Sequence, residues 1–284
     1  MPIPVSVVYI VKNESARIEK SLASVVCFQE IIVVDSNSSD NTLAICEKYK
    51  AKIFQHDFAS YGKQKQFAVE QATCDWVLCL DADEVLSLDL KKEIKMRFAS
   101  DPMEDGFYLK RKLVFLGKEF HFGKESKDYQ LRLFNRHTGN WSDDIVHEKV
   151  IIKGTTSKLK GTLLHYSYLN LHHYFIKFNH YTTLAAKEIH FKKKDLSRGK
   201  IFSASVFSFW KTYLLGLNFL NGYQGFVWSI LASFYTFTKY TKARFMAKDY
   251  DTYPQEILNL FALLIFAICI ISTIFLIPSV THLW

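Results

Sequence analysis

Three carboxylates fall within four residues at Leu80-Asp81-Ala82-Asp83-Glu84, directly behind the apolar run Val77-Leu78-Cys79-Leu80. Acidic side chains one residue apart at the end of a strand project the same way, and such a pair can hold a hard divalent cation that in turn holds a diphosphate. Asp-x-Asp also occurs in ordinary polar turns, but an apolar strand that runs into three carboxylates needs something to neutralise them. A second constellation follows another apolar run, at Val34-Asp35-Ser36-Asn37-Ser38-Ser39-Asp40-Asn41-Thr42. Asp35, at the end of a buried strand, is placed to hydrogen-bond a ribose or a base. Ser39 or Asp40 is placed to cap the helix that comes next. Arg132 sits among Leu131, Leu133 and Phe134, where an unpaired guanidinium would be costly, so it must meet a carboxylate or a phosphate. A structural ion pair and a ligand contact are equally open.

The elements around these residues alternate. The run 5–11 reads as a strand; Ile18, Leu22, Val25 and Val26 have helical spacing; Ile31 to Val34 is a β-branched run. Leu43, Ala44, Ile45 and Tyr49 then predict a helix, Lys52-Ile53-Phe54 a strand, Lys63 to Ala72 a helix and Trp76 to Leu80 a strand. Alternation of this kind predicts an α/β fold with a parallel sheet, in which ligands bind at the carboxyl ends of the strands. Beyond residue 106 strand-like pieces (107–115, 129–134, 146–152) predict an antiparallel addition to the same sheet. From Leu171 the pattern is helical, with Leu171, Tyr174, Phe175, Phe178, Tyr181 and Ala185 on one expected face.

Composition separates the halves. Of 284 residues, 49% are hydrophobic and 15% aromatic, which excludes a disordered or collagen-like chain. Residues 1–150 carry 21 Lys+Arg and 23 Asp+Glu, whereas residues 151–284 carry 15 and 5, so all of the net charge of +8 comes from the second half. A basic knot (His190, Lys192, Lys193, Lys194, Arg198, Lys200) precedes an apolar, aromatic stretch over 201–238 in which Lys211 is the one charge before the end. Basic charge with so much apolar surface fits an anionic membrane better than nucleic acid. Ile257 to Ile277 has no ionisable residue and as a helix would span roughly 30 Å, which predicts a transmembrane or membrane-inserted helix. Lys239, Lys242, Arg244 and Lys248 lie upstream of that run and no Lys or Arg follows Pro278, so the positive-inside rule places the N-terminal part in the cytoplasm. Five cysteines, odd in number and without a CxxC pair, agree with a reducing compartment.

Four motifs in register, Tyr9-Ile10-Val11-Lys12-Asn13-Glu14, Val33-Val34-Asp35-Ser36-x-Ser38-x-Asp40-x-Thr42, Gly62-Lys63-Gln64-Lys65-Gln66-Phe67-Ala68 and Leu80-Asp81-Ala82-Asp83-Glu84, resemble family 2 glycosyltransferases of the GT-A fold. The likeness continues through Gln130-Leu131-Arg132-Leu133-Phe134, Gly139-Asn140-Trp141, Val146-His147-Glu148, Leu164-His165-Tyr166-Ser167-Tyr168 and Phe219-Leu220-Asn221-Gly222-x-x-Gly225-Phe226. This longer set resembles the branch that adds glucose, in β-1,4 linkage, or a related sugar to the heptose inner core of bacterial lipopolysaccharide.

The resemblance covers the chain up to about residue 248 and implies a mixed sheet with helices on both faces, in a catalytic domain over 1–168; the charge and apolar patterns add a helical, membrane-associated C-terminal region, basic, aromatic and interfacial over 169–248 and with a membrane helix within 249–284. The resemblance implies an inverting, metal-dependent transfer of a hexose, with glucose from UDP-glucose the leading case, to a lipid-anchored saccharide; the charge pattern above places that transfer at the cytoplasmic face of the inner membrane. Such chemistry needs a base on one face of the sugar and charge neutralisation of the departing diphosphate on the other. By resemblance Asp35 would contact uracil or ribose, Asp81 the ribose or the shell around the metal, and Asp83 the Mg²⁺ or Mn²⁺, with His165 as a further metal ligand or, equally in keeping with Leu164 and Tyr166 beside it, a core residue. Asn13, Glu14, Lys63, Arg132 and His147 complete the expected substrate contacts. Glu148 is the candidate base, with a solvated surface acid near Asp143 and Asp144 as the alternative. The Gln-x-x-Arg-Trp motif of processive synthases is missing, Asn221 stands where the branch usually has Asp, and no Gly-x-Gly-x-x-Gly follows the first strand, which disfavours polymerisation and a dinucleotide-dependent dehydrogenase. A polyprenyl-phosphate sugar synthase and a non-catalytic, membrane-tethered sugar-nucleotide binder are the remaining alternatives.

Overall fold

A computed structural model describes residues 1–142, 148–192 and 196–246. The chain divides into two compact units, Met1–Leu169 and the part from Asn170 onward.

In the first unit the alternating sequence becomes β1 (Ile3–Val11), α1 (Ile18–Ser24), β2 (Phe28–Asp35), α2 (Thr42–Lys48), β3 (Lys52–Gln55), α3 (Tyr61–Glu70) and β4 (Trp76–Leu80). The four strands run parallel in the order β3-β2-β1-β4. The chain therefore moves outward from β1 on one side and returns to it on the other. That reversal makes β1 and β4 the switch point, and a crevice opens beyond their carboxyl ends, where an open α/β sheet takes its ligand. Helices cover both faces of β1, so its residues are buried with little alternation. Val5, Val7 and Tyr9 pack with Ile18, Leu22 and Ile94 on one side, while Val8, Ile32, Val34 and Val77 pack with Ala68 and Val69 on the other.

The chain continues through β5 (Glu84–Leu86), α4 (Leu88–Arg97), β6 (Gly106–Phe115), β7 (Lys118–Glu119), β8 (Asp128–Asn135), β9 (Gly139–Trp141), β10 (Val150–Ile152) and β11 (Thr156–His165). The sheet order extends as β4-β8-β6-β11-β5, with β7 on β6. As expected, β8 lies antiparallel to β4 and β6. Two differences concern the rest: β10 leaves the sheet and pairs only with β9, and β11 enters it parallel to β6. The exposed Thr156, Lys158 and Lys160 mask β11 in the sequence. At its centre is Gly161, where a Cβ would stand 2.3 Å from the Leu90 Cα, so the glycine lets α4 lie on the strand.

The second unit contains α5 (Leu171–Phe191), α6 (Arg198–Trp210) and α7 (Gly222–Phe245), with α5 and α6 both packed on α7. Asn170 and Ser197 cap α5 and α6 by accepting from the amides of His173 and Lys200. The buried row of α5 is Tyr174, Phe178, Thr182 and Ala186, so the expected face is rotated: Leu171, Phe175 and Tyr181 are exposed. Burial follows a strict i, i+4 row, and Thr182 joins it because its hydroxyl donates to the Phe178 carbonyl at 2.8 Å. Lys242 of α7 donates to the Asn179 side chain at 2.7 Å and to Thr182 and Thr183 at 2.9 and 2.8 Å, bracing α7 to α5. Burial without an acidic partner pulls its ammonium below the usual lysine range. Among the described residues no helix is long and apolar enough to cross a membrane; the run Ile257–Ile277 lies outside them.

Candidate active site

The loops after β1 and β2 clamp one another. Asn13 adopts φ 55°; its amide donates to Ser38 Oγ at 2.9 Å, and its Oδ1 accepts from the Ser39 amide at 2.8 Å. The Glu14 amide donates to Thr42 Oγ1 at 2.8 Å, and that of Ser15 to Asp40 Oδ2 at 3.1 Å. Asp40 also accepts from the Thr42 amide at 3.0 Å; the cap position of α2 is Asn41, without a side-chain cap bond, so neither expected residue is the N-cap and Asp40 reaches the first residue of the helix from just before it. Bonds from Ser15 and Thr42 hold its carboxyl well below the usual range. Asp35 is 0% exposed, and its two oxygens accept from the amide and hydroxyl of Ser38 at 2.9 and 2.5 Å. The nucleotide contact expected of this carboxylate thus stands behind Ser38.

Beyond β4 the backbone turns at once: the Glu84 amide donates to the Asp81 carbonyl at 2.9 Å, and the Asp81 amide to Glu84 Oε2 at 3.0 Å. This turn corrects the expectation that Asp81 and Asp83 act as a parallel pair, because they meet different cations. Asp83 contacts Arg17 Nη1 at 3.4 Å and His165 Nε2 at 3.6 Å; Arg17 in turn holds Glu14 at 2.5 Å. Asp81 accepts from Arg132 Nη2 at 2.6 Å and lies 3.5 Å from Lys65 Nζ. The structure thus brings the expected metal residues Asp83 and His165 together, and joins Asp81, Arg132 and Glu148 in a second group.

That second group is a ladder of alternating charge. Glu148 pairs with Lys65 at 3.1 Å, Lys65 with Asp81, Asp81 with Arg132, Arg132 with Glu84 at 2.8 Å, Glu84 with Arg111 at 3.3 Å, and Arg111 with Asp128 at 2.6 Å. Glu84, 0% exposed, is its buried centre. Loss of hydration pushes the Asp81 carboxyl up, but Arg132 and Lys65 more than offset this and hold it well below the usual range. Burial disfavours the Arg132 cation, yet Asp81 and Glu84 bind its proton more tightly than usual. For Asp83, too, burial works against the anion, and His165 and Arg17 restore it to a lowered value.

Among the described residues Arg132 Nε has no hydrogen-bond partner, although the side chain is buried. Five members of the ladder, Glu148, Lys65, Asp81, Arg132 and Arg111, line a cavity of about 340 Å³ whose lining also includes Trp141, Tyr108 and Tyr129. Carboxylates for hydroxyl groups and aromatic faces for apolar ring surfaces make a wall suited to a sugar.

Lys63, the expected contact on α3, is exposed; Lys65, two residues on, points to the cavity and stacks over Trp141 at 4.7 Å. Gly62 allows the approach, since a Cβ there would meet the Ser142 carbonyl at 2.3 Å and Glu148 Cβ at 3.5 Å. Glu148 is therefore half-buried against α3, and the solvated-acid alternative does not describe it. His147 lies outside the described residues. Sequence reasoning missed Lys65, Arg17 and Arg111.

A model of the family described as glycosyl transferase family 2 matches residues 6–158. The chain belongs to this family. An uncharacterized glycosyltransferase of Rickettsia conorii is 32% identical over 84% of this chain and 89% of its own length. The lipopolysaccharide core biosynthesis glycosyltransferase LpsC of Rhizobium meliloti is 27% identical over 83% of this chain and 90% of its own. Among solved structures this transferase is similar to S. aureus TarS, with a TM-score of 0.43 and 17% identity over 89% of this chain and 94% of that one. It is also similar to glucosyl-3-phosphoglycerate synthase of Mycobacterium tuberculosis in complex with Mn²⁺, UDP and glucosyl-3-phosphoglycerate, with a TM-score of 0.32 and 20% identity over 39% of this chain and 44% of that one. The family membership and the mixed sheet together identify a GT-A-like α/β transferase.

Proposed function

We propose that this family 2 transferase moves a hexose, glucose from UDP-glucose in the leading case, onto a saccharide anchored in lipid, such as a heptose of the lipopolysaccharide inner core. The observation that carries the reading is the row of charged groups Glu148, Lys65, Asp81, Arg132 and Arg111 lining a cavity just past the carboxyl end of β4. The likeness to a lipopolysaccharide core glycosyltransferase supports the acceptor class.

In this reading the acceptor hydroxyl attacks the anomeric carbon as the bond to the UDP oxygen breaks, with inversion, and Glu148 takes the hydroxyl proton. Lys65 fixes Glu148 from the α3 side. Asn13, Glu14 and Asp35 shape the nucleotide loop, and Asp81 and Arg132 form the wall facing the sugar. Lys63 is free at the surface end of α3 to meet phosphate oxygens, and His147 adjoins the base in sequence.

Mg²⁺ or Mn²⁺ would be held by Asp83 and His165. Their Oδ1 and Nε2 lie 3.6 Å apart, so small side-chain shifts would bring both to one cation, an oxygen and a nitrogen donor of the kinds that such ions accept. Among the described residues no group of three or more His, Cys, Asp or Glu side chains forms a ready metal cage. A site with two protein ligands fits a cation that takes its remaining oxygens from a diphosphate and water. When bound, the cation neutralises the departing diphosphate. Residues 169–248 would meet an anionic inner-membrane surface from the cytoplasmic side and 249–284 would supply one membrane helix.

The test is UDP release by the detergent-solubilised full chain over a panel of UDP-sugars, with Mg²⁺, Mn²⁺ or EDTA, and with truncated lipopolysaccharide or undecaprenyl phosphate as acceptor. Metal-dependent turnover with the core saccharide is expected. Turnover only with the lipid phosphate would replace the acceptor assignment, and UDP-sugar binding without turnover on either would replace the catalytic one.

A further inference from the structure

The second unit has an apolar corner that the transfer chemistry does not use. Between α6 and α7 the chain passes through a π-helical turn, Lys211–Leu215, and a 3₁₀ turn, Asn218–Asn221. The corner is firmly built. Leu217 and Gly222 adopt φ 55° and 68°; Asn218 donates to the Thr212 carbonyl at 3.0 Å, and Asn221 to Asn218 Oδ1 at 2.9 Å. Gly225 lets α7 close on this knot, because a Cβ there would stand 1.9 Å from the Asn218 carbonyl oxygen.

With the polar groups of the corner turned inward, its apolar groups are left outside. Leu215 is 76% and Tyr223 73% exposed, and Leu214, Leu217, Phe219 and Leu220 are exposed by 41–49%. Isolated apolar side chains on a surface need no explanation, but six within ten residues at the end of a helical hairpin form a patch. The one charge beside it is Lys211; residues 196–248 contain no Asp or Glu, and the other Lys and Arg of α6 and α7 stand at the ends of those helices away from the corner.

We propose that the corner Leu214–Tyr223 is the part of the second unit that inserts into an anionic lipid bilayer, with Lys211 at its base among the headgroups. The proposal rests on the membrane-surface reading above and names the element that enters. Lipid is favoured as the occupant by the absence of any acid over 196–248, by the aliphatic tip with a Tyr beside it, and by the run Ile257–Ile277, which lacks an ionisable residue and calls for the same solvent. Aliphatic side chains supply depth, and Lys211 at the base of the corner supplies attraction to anionic headgroups.

The test uses the full chain with Cys27, Cys74 and Cys269 replaced by Ser, Leu215→Cys carrying an environment-sensitive fluorophore, reconstituted in vesicles of phosphatidylcholine with or without phosphatidylglycerol. Flotation is read first. Then quenching is read from the water side by iodide and from the lipid side by doxyl-labelled lipid. Insertion predicts quenching by doxyl lipid, with iodide quenching reduced about threefold or more in the anionic vesicles. An iodide-accessible label on floating protein overturns the corner and leaves the membrane reading standing. A label shielded from both quenchers also overturns it, and shows that protein, either this chain's own C-terminal run or a partner, covers the corner. Protein that does not float defeats the membrane reading as well. As a second variant, Leu215→Asp with Leu220→Asp should lower partitioning to anionic vesicles about tenfold, whereas Met103→Asp, on an exposed loop of the first unit, should leave it unchanged; equal partitioning of the two would count against the corner.

Discussion

The first unit contains two buried carboxylate hubs, Glu30 near the start of β2 and Glu84 just past the end of β4, and they are finished differently. Glu30 accepts from Lys52 at 2.7 Å, from Ser6 at 2.5 Å and from the amide and hydroxyl of Thr73 at 2.7 and 2.8 Å. Three of these four donors are neutral, and beyond them Ser6 Oγ accepts only a backbone amide, that of Cys74 at 3.1 Å, so no further charge joins through it. Glu84 instead meets Arg132 and Arg111, and each of these arginines passes on to another carboxylate, until the row reaches Glu148 on one side and Asp128 on the other. The amino ends of the parallel strands are closed by a local knot. Their carboxyl ends carry charge outward to a cavity, at the cost of a buried Arg132 Nε without a partner. One hub is closed by local donors, whereas the other is tied through its arginines to the cavity wall, and a charge chain is held only when every member is present.

Breaking the open end should have the largest effect. Glu148→Gln keeps the shape and the contact with α3 but removes the proton acceptor of the proposed mechanism, so kcat should fall about 10³-fold, within the range for a positioned general base. Donor affinity, read by calorimetry with UDP, should stay close to that of the parent. A variant with near-parent kcat would remove Glu148 from the chemistry and leave the ladder a purely structural feature.

Breaking the centre should damage both properties. Glu84→Gln leaves two arginines around a neutral amide, and removing one partner of a buried ionic network costs about 3–5 kcal/mol. For a chain of this size that corresponds to a fall in the unfolding midpoint of roughly 10 °C. Because Asp81 and Arg132 share the network, UDP-sugar turnover should fall even at temperatures where the variant is folded. Loss of stability with unchanged turnover per folded molecule would show that the two hubs are alike after all.

Legibility followed the range of the interactions. The parallel half was readable because β1, β2 and β4 are continuous apolar runs separated by helical periods, and Asp35, Asp81 and Asp83 stand where those runs stop. Arg132 could be seen to need a carboxylate, because its apolar neighbours are adjacent in sequence. What those groups touch was not readable. Lys65 reaches Glu148 across 83 positions, and Arg17 reaches Asp83 across 66, and no local pattern encodes such pairings. One signal was present: Lys65, Ala68 and Ala72 fall at i, i+3 and i+7, so helical periodicity places Lys65 on the buried face of α3 and Lys63 off it. For β11, the exposed lysines and the central glycine removed the apolar alternation that identifies a strand, and only the partners β6 and α4 explain why it forms.

The smallest expected effect is at the closed hub, where the comparison can be sharpened by pH. Burial alone would push the Glu30 carboxyl up, but the bonds from Lys52, Ser6 and Thr73 outweigh it and bring the group from 4.5 down to about 2. A folded-state value below the unfolded one means that the anion stabilises the fold. Its contribution is complete above about pH 4.5, declines as pH falls below that, and is lost as pH passes through about 2. Lys52 is half exposed, so the contribution is on the order of 2 kcal/mol rather than the full value of the shift. Glu30→Gln should therefore lower stability to denaturant by that amount at pH 7, and the difference from the parent should shrink as the pH is taken toward 2. Activity per folded molecule should not change, because none of the donors to Glu30 belongs to the ladder. A pH-independent difference would mean that the amide fails for steric reasons, and a fall in turnover would mean that the amino ends of the strands are not insulated from the site.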